Sequence, residues 1–259
     1  MGQPAPSSFA LADATAKLPI LGGMARPDGV VIVSERYWAF AGRDGSLREG
    51  EMPRTHERLR RIPLARGLAK LAASLSPLLR RSGVSSPRER LFLVGVLLAP
   101  LLLLLLPTGL QTPAGVVLTV ALLGWLLRGR TLRLHGAEHR AIAAVEERRL
   151  SATWEGVAQP TRFSPRCGTN FAALVLPVTF GFQQIWTLPT TFLTPFAVTL
   201  VSLALTMEVW QLVQRHRALR MLLWPGLALQ RLTTREPALA DTRVALRAVD
   251  SVLARELVI

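Results

Sequence analysis

The stretch from Leu91 to Leu127, LFLVGVLLAPLLLLLLPTGLQTPAGVVLTVALLGWLL, holds no charged residue and sets the class of the chain. A second stretch, Phe171 to Met207, is likewise uncharged. Each exceeds the about 20 residues that one spanning helix needs, and each is interrupted by turn formers near its middle. In the first these are Pro107-Thr108-Gly109 and Thr112-Pro113; in the second they are Leu188-Pro189-Thr190-Thr191. The pattern predicts a mainly α, polytopic membrane protein with four short transmembrane helices in two hairpins. The segments fall at roughly residues 91–107, 113–127, 171–187 and 191–213, and a re-entrant hairpin is the alternative.

Composition agrees. Half of the 259 residues are hydrophobic and 19% are charged, with a mean hydropathy of +0.32. So apolar a chain excludes long disorder, and the single cysteine, Cys167, excludes a disulfide-stapled fold. Lys and Arg number 15 in residues 1–90, 8 in 128–170 and 8 in 214–259, which accounts for all 31. Both predicted hairpin tips are uncharged, so the positive-inside rule puts the termini and the central segment in the cytosol. The expected location is therefore the cytoplasmic membrane, with several passes. The chain divides into a cytosolic region 1–90, a hairpin 91–127, a cytosolic segment 128–170, a hairpin 171–213 and a cytosolic remainder 214–259.

The cytosolic parts carry recognisable local patterns. Gly29–Ser34 and Tyr37–Phe40 are β-rich, and Arg43-Asp44-Gly45 supplies a turn, which predicts a small β-hairpin. From Pro63 onward Leu64, Leu68, Leu71, Leu75 and Leu78 recur at helical steps among basic residues. This amphipathic helix lies on the inner leaflet or packs on its own domain. Residues 221–229 are apolar, too short to cross a membrane, and interrupted at Pro225-Gly226. Thr233-Thr234-Arg235-Glu236 has the form of a capping box ahead of a final packing helix.

Chemistry is concentrated between residues 128 and 170. On a helix, His135, Glu138 and His139 share one arc at i, i+3 and i+4, so two imidazoles can reach one ion with a carboxylate beside them. The same five residues satisfy H-x-x-E-H, the inverted zincin pattern. Cys167 lies four residues before Phe171, at the same predicted membrane margin, and neighbouring Arg166 would favour its thiolate. A His/His/Cys set suits Zn²⁺ or another divalent metal; the plain alternative is a solvated polar helix with an inert cysteine. Glu208 is the one acid near a span interior and is a functional candidate for that reason. No phosphate-binding glycine loop, G-x-S-x-G elbow or nucleotide fingerprint is present.

Three blocks then carry a family resemblance: His135-Gly-Ala-Glu-His-Arg-Ala-Ile142, Pro165-Arg-Cys-Gly-Thr169, and the run from Pro225 to Pro237 that contains Arg235 and Glu236. Together they resemble the signature blocks of the YqhQ-like bacterial membrane proteins, a domain of unknown function labelled as a predicted metal-dependent enzyme. Ile62–Leu68 resembles that family's helix before its first span, so the resemblance runs from about residue 20 onward. It implies a bacterial inner membrane and a metal on the histidines and the cysteine. Two positions depart from the pattern. Ser164 stands where the family usually has histidine, and Pro19–Arg26 lacks a glutamate found in its counterpart.

Two classes of function follow. In the first, the chain is a non-enzymatic accessory protein in the lipid bilayer, presenting a basic cytosolic face to a membrane protein complex. That face suits anionic lipid or RNA-bearing machinery such as a ribosome at a protein translocon. A homo-oligomer is also compatible. In the second, it is a metal-dependent hydrolase in which His135, His139 and Cys167 hold the metal and Glu138 is the general base.

Overall fold

The computed structural model describes residues 4–54, 56–103, 105–126, 129–187, 191 and 193–257. The chain opens with α1 (Ser7–Ala14) and four strands, β1 (Gly22–Ala25), β2 (Gly29–Val33), β3 (Tyr37–Gly42) and β4 (Leu47–Glu51). Helices α2 (Glu57–Arg61), α3 (Ala65–Leu79), α4 (Pro87–Leu103) and α5 (Thr108–Leu126) follow. Then come α6 (Gly129–Glu147), α7 (Leu150–Glu155), α8 (Gly168–Gln184) and α9 (Thr194–Arg215). A 3₁₀ turn (Arg217–Leu223) leads into α10 (Trp224–Thr233) and α11 (Leu239–Leu257).

The expected hairpin is the centre of a larger sheet. All four strands pair antiparallel in the order β1-β2-β3-β4, with Ile32 opposite Ala39 and Val31 opposite Phe40. Alternation then assigns the faces. Val30, Ile32, Ala39 and Ala41 point to one side and pack with Leu134 and Ala141 of α6 and Val249 and Val252 of α11. Val31, Trp38 and Phe40 point to the other and gather with Val84. Helix α11 is tied to the sheet by polar contacts as well. Arg247 donates to the Gly42 carbonyl at 2.6 Å, and Ser251 to the Glu49 carboxylate at 2.7 Å.

The four transmembrane helices in two hairpins are not what the structure contains. Among the described residues one helix, α9, is long and apolar enough to cross a membrane: it has 22 residues, a hydropathy of 1.7, and a third of its apolar window buried inside the protein. The other three segments fall short for identifiable reasons. Helix α4 has 17 residues, about 26 Å at 1.5 Å each. Its first turn, Pro87-Arg88-Glu89-Arg90, belongs to the folded body. There Ser86 and Glu89 form a true capping box, with the Ser86 amide on the Glu89 carboxylate at 2.7 Å and the Glu89 amide on the Ser86 hydroxyl at 3.3 Å. Arg26, next to β1, also holds Glu89 at 3.0 Å. In α5 the apolar portion is Gly109–Leu122, shorter than a span, and Pro113 lies inside the helix rather than ahead of it. Helix α8 has 17 residues with Pro177 in its interior. The uncharged stretches therefore divide into pieces of unequal kind, and absence of charge alone does not show where a helix starts. The predicted turn at Leu188-Pro189-Thr190 lies outside the described residues.

Helix α3 packs on α9. A Cβ on Gly67 would come within 2.9 Å of Met207 Cβ, so only glycine permits this approach. Of the two expected placements for the amphipathic helix, the structure has the packed one. Pro225 sits in the first turn of α10, where its fixed φ suits a helix start, so Pro225-Gly226 begins a helix instead of interrupting one.

Candidate metal centre

Helix α6 presents His135, Glu138 and His139 as the spacing predicts, and places them inside the protein. His139 is 2% exposed and Glu138 5%. The reading of a solvated polar helix is thereby excluded. The two imidazoles stack edge to face with centroids 4.4 Å apart. Each Nδ1 meets a backbone carbonyl, His135 that of Thr233 at 2.8 Å and His139 that of Arg162 at 2.7 Å. A carbonyl can only accept, so both Nδ1 atoms carry the proton and both Nε2 atoms keep a lone pair. A histidine whose second nitrogen is held by a carbonyl is the arrangement that orients metal ligands.

The two lone pairs converge on the cysteine. His135 Nε2 lies 3.3 Å from Cys167 Sγ, and the ligand atoms of His135, His139 and Cys167 all fall within 4.8 Å of one another. His139 Nε2 is buried with no hydrogen-bond partner. An orphaned buried nitrogen costs stability unless something fills its lone pair, and a cation at this point would do so. Two neutral imidazoles and a cysteine sulfur, once it gives up its proton, are donors suited to zinc and similar soft-to-borderline divalent ions. The residues present therefore fit a metal.

Burial sets the proton states. It lowers the pKa of His135 and, together with the neighbouring His135, takes His139 to about 3, so both rings stay neutral. Burial, then the charge of Glu138, pushes the Cys167 thiol up to about 11 against the opposing contacts from Thr169. The expected activation by Arg166 is absent, because Arg166 is ion-paired with Glu146 on α6. Cys167 instead caps α8, its sulfur accepting from the Thr169 amide at 3.3 Å.

Three segments far apart in sequence build this centre. The chain past α10 crosses α6 at Gly136, where a Cβ would stand 2.2 Å from the Arg235 carbonyl oxygen. The Arg235 amide donates to the Leu132 carbonyl at 2.9 Å and locks the crossing. Thr233 thereby delivers its carbonyl to His135, and its hydroxyl lies 3.5 Å from that of Thr169. Glu236 takes Arg140 at 2.5 Å and Arg162 at 2.8 Å, and Arg162 in turn offers the carbonyl that holds His139. The expected capping box at Thr233–Glu236 does not form: Thr233 ends α10, and Glu236 lies in the connection before α11.

A profile of the family described as "Protein of unknown function (DUF1385)" matches residues 118–255. The chain belongs to that family. The matched segment of this DUF1385 protein runs from α5 into α11 and contains all three convergent blocks. The uncharacterized protein YqhQ of Bacillus subtilis (strain 168) is 27% identical to it, across 92% of this chain and 93% of the relative. The resemblance read from the motif blocks is therefore the family itself. No solved structure matches.

The two remaining acids stand apart from the metal-ligand set of this DUF1385 chain. Glu138 turns to β1: its carboxylate accepts from the Ala25 amide, and a Cβ on Gly23 would fall 2.6 Å from its Cγ. Burial raises its pKa to about 8, so it is largely protonated at neutral pH. Glu208 pairs with Arg66 of α3 and accepts from the Leu64 amide at 3.2 Å. It ties α3 to α9 and supplies no ligand to the cluster.

Sequence reasoning missed Gln230 and Asn170. Gln230 is fully buried and pairs both ways with the Ser164 backbone, at 2.9 and 2.8 Å. Asn170 also donates to the Ser164 carbonyl, at 2.9 Å, and a Cβ on Gly226 would collide with Asn170. A single amide amid the apolar residues of α10 was the available sign. These contacts fix the backbone at Ser164, while its hydroxyl accepts locally from the Arg166 amide at 3.2 Å.

Proposed function

We propose that this chain is a membrane-associated accessory protein whose His135/His139/Cys167 cluster is a structural metal latch. The observation that carries the reading is the orphaned His139 Nε2, buried within ligand distance of two further donors and walled in by three separate segments. His135 and His139 would bind through Nε2 and Cys167 through Sγ. A bound divalent cation would supply a cross-link between α6 and the start of α8 and would favour loss of the thiol proton. The chain's own residues do the rest: Thr233 and Arg162 hold the ring tautomers, and Glu236 holds Arg162.

The hydrolase alternative needs a base at the cluster. Glu138 is turned to the amide of Ala25, which speaks for the latch instead. On the accessory reading, α9 holds the protein at the bacterial inner membrane. The net charge of +14 gives it a basic cytosolic face for anionic lipid or an RNA-bearing membrane complex.

The test is metal analysis of the detergent-purified chain beside His139→Ala and Cys167→Ser, with thermal unfolding before and after chelation. The expected result is about one equivalent of zinc or another divalent ion, lost in both variants, with chelation lowering the Tm of the parent only. A metal-free parent chain, folded and indifferent to chelator, ends the latch reading.

A further inference from the structure

A cleft of about 970 Å³ opens beside α3, and none of the metal-ligand residues lines it. Its walls come from the β2–β3 turn, the chain just past β4, α3, and the last turn of α9. Five cations line it: Arg36, Arg54, Arg66, Lys70 and Arg215. Two carboxylates, Glu35 and Glu51, face them.

The arrangement is ordered by helix geometry. Arg66 and Lys70 are one turn apart on α3, and Gln211 and Arg215 are one turn apart on α9, so each helix offers a row to the same space. Lys70 reaches across to the Gln211 side-chain oxygen at 2.8 Å. The two helices are held in register by Glu208, which takes both Arg66 and the amide of Leu64. Leu64 has φ +67, a conformation a leucine keeps only when its surroundings fix it. The two helix backbones that carry these rows are thus fixed relative to each other before any ligand arrives. Arg36 and Arg66 are already committed, to Glu256 and Glu208. Arg54 and Arg215 form no ion pair among the described residues.

We infer that this cleft binds a phosphate-bearing anion, with Arg54, Lys70 and Arg215 as its principal donors. The guanidinium fork matches a phosphate through two parallel N–H···O bonds, and a volume of this size accepts a headgroup or a small phosphate ester. Position selects the source. Arg215 is the last residue of α9, the helix long enough to cross a membrane, so the cleft sits at headgroup height when α9 is embedded. The source therefore rests on the membrane reading of α9; the phosphate chemistry does not.

The experiment is calorimetric titration of the full chain in a non-ionic detergent with three probes. These are a short-chain phosphatidylglycerol, phosphatidylcholine of the same chain length, and inorganic phosphate. Arg54→Gln/Arg215→Gln is compared with the parent after its unfolding temperature is shown to be unchanged. The phosphatidylglycerol should bind the parent at one site and the double variant about tenfold more weakly, as expected for lost charge-assisted contacts. Phosphatidylcholine should not distinguish the two chains. Glu51→Gln, which removes an opposing charge, should tighten phosphatidylglycerol binding. Saturable inorganic phosphate without a phosphatidylglycerol preference keeps the cleft and removes the membrane source. Equal binding of both anionic probes by parent and double variant, or none by the parent, overturns the inference.

Discussion

Helices α5 and α6 are consecutive and have the same length, 19 residues, yet polarity and burial run in opposite directions in them. Helix α5 is apolar almost throughout, and Leu110, Val116, Val117 and Val120 are all more than half exposed. Helix α6 carries three arginines in its first twelve residues, two histidines and three glutamates. It is nonetheless buried from Thr131 to Val145, apart from exposed Arg133 and half-buried His135. Hydropathy reports what a helix can tolerate outside, while burial depends on whether its polar groups find partners inside. In α6 they do. Carbonyls meet the histidines, Glu236 meets Arg140, and the Ala25 amide meets Glu138. In α5 the surroundings offer few neighbours and these apolar side chains face outward, a patch of the kind that soluble proteins avoid.

Glycine replacement should break this contrast most sharply. Gly136→Ala in α6 drives a Cβ to 2.2 Å from a backbone oxygen and should cost about 3 kcal/mol or more, a large share of what holds a domain folded. Gly124→Ala in α5 meets nothing within 4 Å and should be neutral or stabilise by up to about 1 kcal/mol through helix propensity. Chemical unfolding in detergent checks both. If they cost the same, the two helices do not differ in packing.

A large-to-small pair comes next. Leu134→Ala opens a cavity at a fully buried position and should lose about 2–5 kcal/mol, whereas Val117→Ala should stay within about 0.5 kcal/mol. Unfolding midpoints of the two variants measure the gap. Metal should add a smaller difference. If the parent holds a cation at a hundred times its Kd, chelation removes about 2.7 kcal/mol, visible as a Tm drop that His139→Ala abolishes.

The smallest effect concerns an ion pair on α6. Burial raises the pKa of Glu236, but hydrogen bonds from Arg140 and Arg162 outweigh it, and the net shift is downward. A depressed folded pKa means its contribution is present above the unfolded value, about 4.3, and is lost as pH falls through the folded one. The Tm of the parent should therefore decline between pH 5 and pH 3 (about one unit either side of 4.3) more than that of Glu236→Gln. Glu236 is 56% exposed, so the difference should be small. Parallel declines would show that the carboxylate does not hold Arg140.

What the sequence disclosed was local. Helical spacing was enough to put His135, Glu138 and His139 on one arc, and chain proximity suggested that Cys167 joins them. The strongest strands, β2 and β3, were legible because Val30–Val33 and Tyr37–Phe40 combine β-branched and aromatic residues. Strands β1 and β4 were not, because Gly-Gly-Met-Ala and Leu-Arg-Glu-Gly-Glu carry little β preference and exist by pairing with β2 and β3. Glu236 misled because its partners lie 96 and 74 residues away, beyond any local pattern. The uncharged stretches misled because lack of charge is one property of a span, and helix length and continuity are others.

The place of α11 has a consequence for the order of assembly. It is translated after every element it packs on, yet Val244, Ala248, Val249 and Val252 fill the space between the sheet and α6. Until α11 emerges, the inner face of β2 and β3 is covered only in part, by α6, and the connection that brings Thr233 and Glu236 over α6 to the histidines lacks the helix that anchors its far end. The sheet made first and the helix made last must close together. Folding of this body is thus a late, non-local event, and a nascent chain paused before residue 239 would expose the apolar faces on which its stability depends.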